Sequence, residues 1–266
     1  MRNLTESEVA AWIDAAEAAA RQLKEAIAAE KIYVATSVAT SSVPFSHLTK
    51  AFQIHNAILI LCRAGYGSEA MALSRSILEM YITLRWITNQ NQNKRAEDFA
   101  FFIAKRKEYA AKTFAKYQPG SRIASDAVKF VENTYRQYAD KYASWVFWSN
   151  EPNNLRQLAE EKEALMPELS PPDDDAVMLY ELFYSDASDY VHVTSLALDE
   201  VFPTTGIPYT PTGTKARRTV FNAAVYATQW LFYIMIRVDA CRKLELQDKI
   251  DGAYTEFAKL FSTSKL

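Results

Sequence analysis

Residues 68–88 read SEAMALSRSILEMYITLRWIT. At 100° per residue, Leu73, Ile77, Met80 and Leu84 share one apolar face of a helix, and Met71, Leu78, Ile82 and Trp86 share another. A helix that is apolar nearly all round belongs at the centre of a bundle rather than on its surface. Gly65 and Gly67 separate it from the apolar run before it. The polar tract Asn89-Gln90-Asn91-Gln92-Asn93 ends it, because asparagine side chains compete for backbone hydrogen bonds.

The same punctuation organises the rest of the chain. Six glycines and nine prolines in 266 residues come to about 6%, against roughly 12% in average usage. Sandwiches and barrels need many turns, and dinucleotide folds need clustered glycines, so both are excluded. Thr5-Glu6-Ser7-Glu8 fits a capping box before an Ala-rich helix. Ser46 can cap a second helix reaching Arg63. Ser68, Asn93 and Ser121 open a third, fourth and fifth, and Asn153 or Asn154 a short sixth. Asp173, Asp174 and Asp175 place negative charge at another helix start. Thr214 opens a long C-terminal helix with a break near Leu244 to Gln247. Tyr180, Tyr184, Ala187, Val191, Thr194, Leu198 and Val201 recur at spacings of four and three, which is one continuous packing stripe. The expectation is an all-α fold, a single bundle of seven to nine helices. Residues 1–43 are an N-terminal helix and linker, and residues 44–266 the bundle domain, the two forming one compact unit. Gly252 alone falls inside a helical pattern.

Composition narrows the function classes. The net charge of −2 shows no global basic excess, so neither nucleic acid nor a membrane surface is expected as a partner. Lys105, Arg106 and Lys107, and the pair Arg217 and Arg218, read as solvated faces or carboxylate partners. The longest apolar stretch, residues 220–236, is interrupted by Asn222, Thr228 and Gln229 and flanked by Arg217, Arg218 and Arg237. It reads as a buried helix, not a membrane span. The start MRNLTESEVAAW lacks a signal-peptide core, and two cysteines in apolar helical runs make no disulfide scaffold, so a cytoplasmic location is expected. No cofactor is implied, since glycine-rich phosphate cradles are absent. No metal is implied either: there are three histidines, His-Glu-x-x-His is absent, and Asp189-x-x-His192 stands alone.

The polar residues that interrupt apolar helices are the candidate site. Arg75 and Glu79 lie among Met71, Ile82 and Trp86. With arginine first, an (i, i+4) pair supports a helix poorly. The pair therefore either satisfies polar groups of other helices or forms a polar site in the bundle. Ser185, Ser188, Asp189 and His192 share one flank of a later helix. Ser, His and Asp on one helix is not how a hydrolase presents its triad. His192 is either a hydrogen-bonded core histidine or a ligand-binding or proton-transfer group.

These features come in a recognisable order. Arg75-Ser76-Ile77-Leu78-Glu79 with Trp86 is first. Next come Trp145-Val146-Phe147-Trp148-Ser149 and the short helix at residues 155–161. Last is Tyr184-Ser185-Asp186-Ala187-Ser188-Asp189-Tyr190-Val191-His192. Over residues 55–199 the chain resembles the prokaryotic domain-of-unknown-function family 5677. The resemblance implies an all-helical bacterial protein and groups Arg75, Glu79, Tyr184, Ser188 and His192 as one set. It supplies no activity.

The leading expectation is a small polar or anionic ligand, or a partner segment, held by Arg75, Glu79, Ser188 and His192 between Trp86 and Tyr184. One alternative is a hydrolase that uses His192 as its catalytic group, such as a toxin-type or phage-defence ribonuclease of the higher eukaryote and prokaryote nucleotide-binding (HEPN) class. That class has an arginine, then four to six residues, then a histidine, and no arginine here precedes any of the three histidines at that distance. The other alternative is a purely structural or assembly role. A homodimer is compatible with each.

Overall fold

The computed structural model describes residues 4–30, 39–140, 147, 149, 152–165, 175–191 and 214–263. In that span the chain is all helix: α1 (Glu6–Ala29), α2 (Ala39–Arg63), α3 (Gly67–Asn89), α4 (Gln92–Tyr117), α5 (Arg122–Ala139), α6 (Leu155–Ala159), α7 (Asp175–Leu179), a π-helical turn (Tyr180–Tyr184), α8 (Ser185–Val191), α9 (Thr214–Arg242) and α10 (Gln247–Thr263). No strand occurs among the described residues.

Helix α3 is central, as its two apolar faces require. It packs on α9 most extensively, then on α2, α8, α6 and α4. Ile77, Leu78, Ile82, Leu84 and Ile87 of α3 and Leu231, Ile234, Met235 and Val238 of α9 are fully buried. Helix α9 is long and apolar enough to cross a membrane, but 72% of its most apolar window is buried inside the bundle. It is a core helix. Helix α1 belongs to the same core: Trp12 meets Phe221 of α9 and Phe257 of α10 edge-on, at 5.3 and 5.5 Å. Helices α4 and α5 form an antiparallel hairpin beyond this core, and α5 packs on α4.

The boundaries follow local chemistry. At α1 the capping box is complete: the Glu8 N–H donates to Thr5 Oγ1 at 3.2 Å, and the Thr5 N–H donates to Glu8 Oε2 at 2.8 Å. Between α2 and α3, Gly65 takes φ +82°. Its N–H donates to Cys62 O and that of Tyr66 to Leu61 O, which is the paired bonding of a Schellman cap. Asn91 takes φ +47° between α3 and α4, a left-handed conformation that asparagine tolerates. The expected break before Gln247 is present, with Lys243 and Glu245 at φ +53° and +58°. There the Leu246 N–H donates to Asp239 Oδ1 at 3.0 Å.

Two boundaries differ from the sequence reading. Helix α2 starts at Ala39, not near Ser46, so Pro44 lies inside it. Proline there costs an intrahelical bond and crowds the preceding turn, and the burial of Val43, Phe45 and Leu48 around it offsets that cost. The stripe beginning at Tyr180 is not uniform. The π-helical turn inserts a wider turn between α7 and α8 and shifts the phase of the residues after it. Phe183 packs on Tyr226 and Trp230 at 4.4 and 6.1 Å, while Val191 is exposed. Thr194, Leu198 and Val201 lie outside the described residues.

Candidate functional site

Arg75 and Glu79 lie one turn apart on the α3 flank that faces the π-helical turn. Arg75 Nε donates to Glu79 Oε1 at 2.9 Å, and Nη2 donates to the Tyr184 hydroxyl at 2.6 Å. The guanidinium carbon sits 4.3 Å from the centre of the Tyr184 ring. That ring stacks on Tyr180 at 4.7 Å with 16° between the planes. Ser188 Oγ donates to the Tyr184 carbonyl at 2.5 Å, bracing the turn from α8. Isolated π-helical turns often mark functional sites, because the wider turn re-aims side chains. Here it aims Tyr184 at Arg75.

This cluster is at the edge of the bundle rather than its centre. The Arg75 and Glu79 side chains are 20% and 40% exposed. Burial raises the Tyr184 hydroxyl above its ordinary pKa; the Glu79 charge adds to this and the Arg75 charge opposes it. Arg75 donates nothing through Nη1 to any described residue, so a guanidinium already fixed in direction keeps donors for another acceptor.

The structure brings together Arg75, Glu79, Tyr184 and Ser188, but not Trp86. Trp86 is eleven residues from Arg75, roughly 16 Å along the helix, and its ring lies against the Arg95 guanidinium at 3.6 Å. His192 and the Asp189 side chain lie outside the described residues.

Trp86 belongs to a second polar cluster that sequence reasoning missed. Past α6 the chain lies as a strap across the C-terminal end of α3. Arg95 holds both Glu161 carboxylate oxygens at 2.7 and 2.8 Å. Glu163 is fully buried between Arg85 Nε at 3.3 Å and Arg237 Nη1 at 3.0 Å. Asn89 donates to Glu161 Oε1 and to Lys162 O, both at 2.7 Å. Burial lowers the Arg237 pKa to about 10; Tyr81 opposes this and the neighbouring Arg85 adds to it. The signal was available: Arg85 interrupts the quoted helix, Arg237 closes the longest apolar stretch, and Glu161-Lys162-Glu163 follows a short helix.

The remaining histidines are structural. His55 donates from Nε2 to Thr228 Oγ1 at 2.9 Å, and that hydroxyl donates onward to Ala224 O at 2.7 Å. Burial, with the charge of Lys24, lowers the His55 pKa to about 3. His47 donates from Nδ1 to Val43 O at 2.9 Å, and burial lowers its pKa too. Cys62 is a free thiol pushed up to about 12 by burial. Among the described residues no group of His, Cys, Asp and Glu could hold a metal ion.

Compared with known proteins, residues 41–206 match the family described as "Family of unknown function (DUF5677)". No curated protein and no solved structure matches the chain.

Proposed function

The chain belongs to the DUF5677 family, and from its site we propose that it binds an anionic group, of a small polar ligand or of a partner segment, at Arg75. The supporting observation is the state of that arginine. Glu79 and Tyr184 fix its direction through two nitrogens, its side chain is only one-fifth exposed, and Nη1 stays open among the described residues. A guanidinium held in direction loses little freedom on pairing with carboxylate or phosphate oxygens. Tyr184 and Tyr180 supply an apolar wall beside it. His192, a few residues beyond Ser188, is the candidate for a further hydrogen bond to the ligand. Two free cysteine thiols suit a reducing cytoplasm.

The test is thermal unfolding of the wild type and of Arg75→Met with inorganic phosphate and with succinate. A midpoint that rises with either anion in the wild type and not in Arg75→Met is the expected result. Equal shifts in both proteins, or none in either, would overturn the reading. RNA cleavage by the wild type that His192→Ala abolishes would replace binding with catalysis.

A further inference from the structure

The strap at residues 158–165 is held as a bound peptide is held. Its backbone is read by side chains of the long helices. Asn89 Oδ1 accepts the N–H groups of Ala164 and Leu165 at 2.6 and 3.1 Å, and Asn89 Nδ2 donates to Lys162 O at 2.7 Å. Arg85 donates to the carbonyls of Ala159 and Glu161 at 3.5 and 2.7 Å. Leu158 and Ala159 fill an apolar socket and are fully buried. Backbone bonds of this kind hold many sequences; the selective contacts are the two acidic side chains, Glu161 on Arg95 and Glu163 between Arg85 and Arg237.

The corner offers more than its occupant uses. Three guanidiniums meet two carboxylates, with Tyr81 a further partner of Arg237, and the Arg237 Nε–H is buried without an acceptor of good geometry among the described residues. A buried donor left unsatisfied is costly. The residues that form the corner stand on α3, α4 and α9, each of which also packs on α2.

We propose that this corner is a receptor for an acidic segment of the pattern Glu-x-Glu, with residues 158–165 as its resident occupant, and that an acidic segment of a partner protein displaces them. The resident strap competes at an effective concentration on the order of millimolar. The wild type therefore binds such a segment weakly, and weakening the strap exposes the receptor. This site is independent of Arg75.

The probe is a labelled peptide of residues 155–165, LRQLAEEKEAL, titrated into the full chain. Glu163→Gln is expected to bind it at least tenfold more tightly than the wild type. The same peptide carrying E161Q and E163Q should bind that variant at least tenfold more weakly, and adding Asn89→Ala should abolish binding. Equal affinity for the acidic and glutamine peptides would overturn the proposal. If Glu163→Gln does not fold, hydrogen exchange of the wild type decides. Millimolar acidic peptide should speed exchange at Ala164 and Leu165 where the glutamine peptide does not, and unchanged exchange would overturn the proposal.

Discussion

Tyr184 reports on its neighbours through its own titration. Burial is the largest cause of its raised pKa, with Glu79 adding and Arg75 opposing. Glu79→Gln removes a like charge from beside the phenolate, so the Tyr184 pKa should fall. Arg75→Met removes a stabilising positive charge, so it should rise. Ultraviolet titration, differenced against Tyr184→Phe, reads both; a shift of the wrong sign in either variant would show that the cluster is not assembled. Gly252 raises a different single-residue question. It lies inside α10 in ordinary helical conformation, and an added Cβ would meet nothing within 4 Å. Glycine there only widens the unfolded ensemble. Gly252→Ala should raise stability by about 0.5–1 kcal/mol, seen as a higher denaturant midpoint at unchanged slope.

At the scale of elements, legibility in the sequence depended on range. Helix ends governed by neighbouring residues were legible: the Thr5–Glu8 box, the Gly65 turn, the asparagine break at Asn91 and the stop before Gln247. Pro44 misled because the burial of Val43, Phe45 and Leu48 holds a helix through a proline that local propensity alone would let end it. The π-helical turn was invisible, because the spacing of Tyr180, Tyr184 and Ala187 is also that of an unbroken α-helix. Arg75 and Glu79 were legible as charges on an apolar helix, and Tyr184 as the start of a stripe. Their meeting needs a pairing across 109 positions, which no local period encodes. The strap was missed for the same reason. Arg85 and Arg237 look like interruptions until Glu163 stands between them, 74 residues from Arg237. Asn89→Ala removes the side chain that reads the strap backbone and leaves the Ala164 N–H without its acceptor, while the Leu165 N–H keeps Glu163 Oε1 at 2.9 Å. Each hydrogen bond lost should cost about 0.5–1.5 kcal/mol. Hydrogen exchange should quicken at Ala164 and Leu165 well before it does in α9.

For the whole molecule, the buried histidines set the acid limit. His55 has a folded pKa of about 3 against 6.5 for the ordinary side chain, and His47 is also lowered by burial. Between those values the unfolded chain binds protons that the folded chain does not. The stability from keeping His55 neutral is therefore fully present above pH 6.5 and is lost as pH falls from 6.5 toward 3. Each such histidine steepens the loss by up to about 1.4 kcal/mol per pH unit. The cause is global: His55 on α2 donates to Thr228 on α9, so protonating it places a charge between two core helices with no carboxylate as its hydrogen-bond partner. Denaturant unfolding at a series of pH values from 7 to 4 should show stability falling throughout. His55→Gln keeps a donor without the titration, so its curve should be shallower than the wild type's by roughly one histidine's share. A curve for His55→Gln parallel to the wild type's would mean that acid acts first elsewhere, on the carboxylates that hold the strap and the surface pairs rather than on the core.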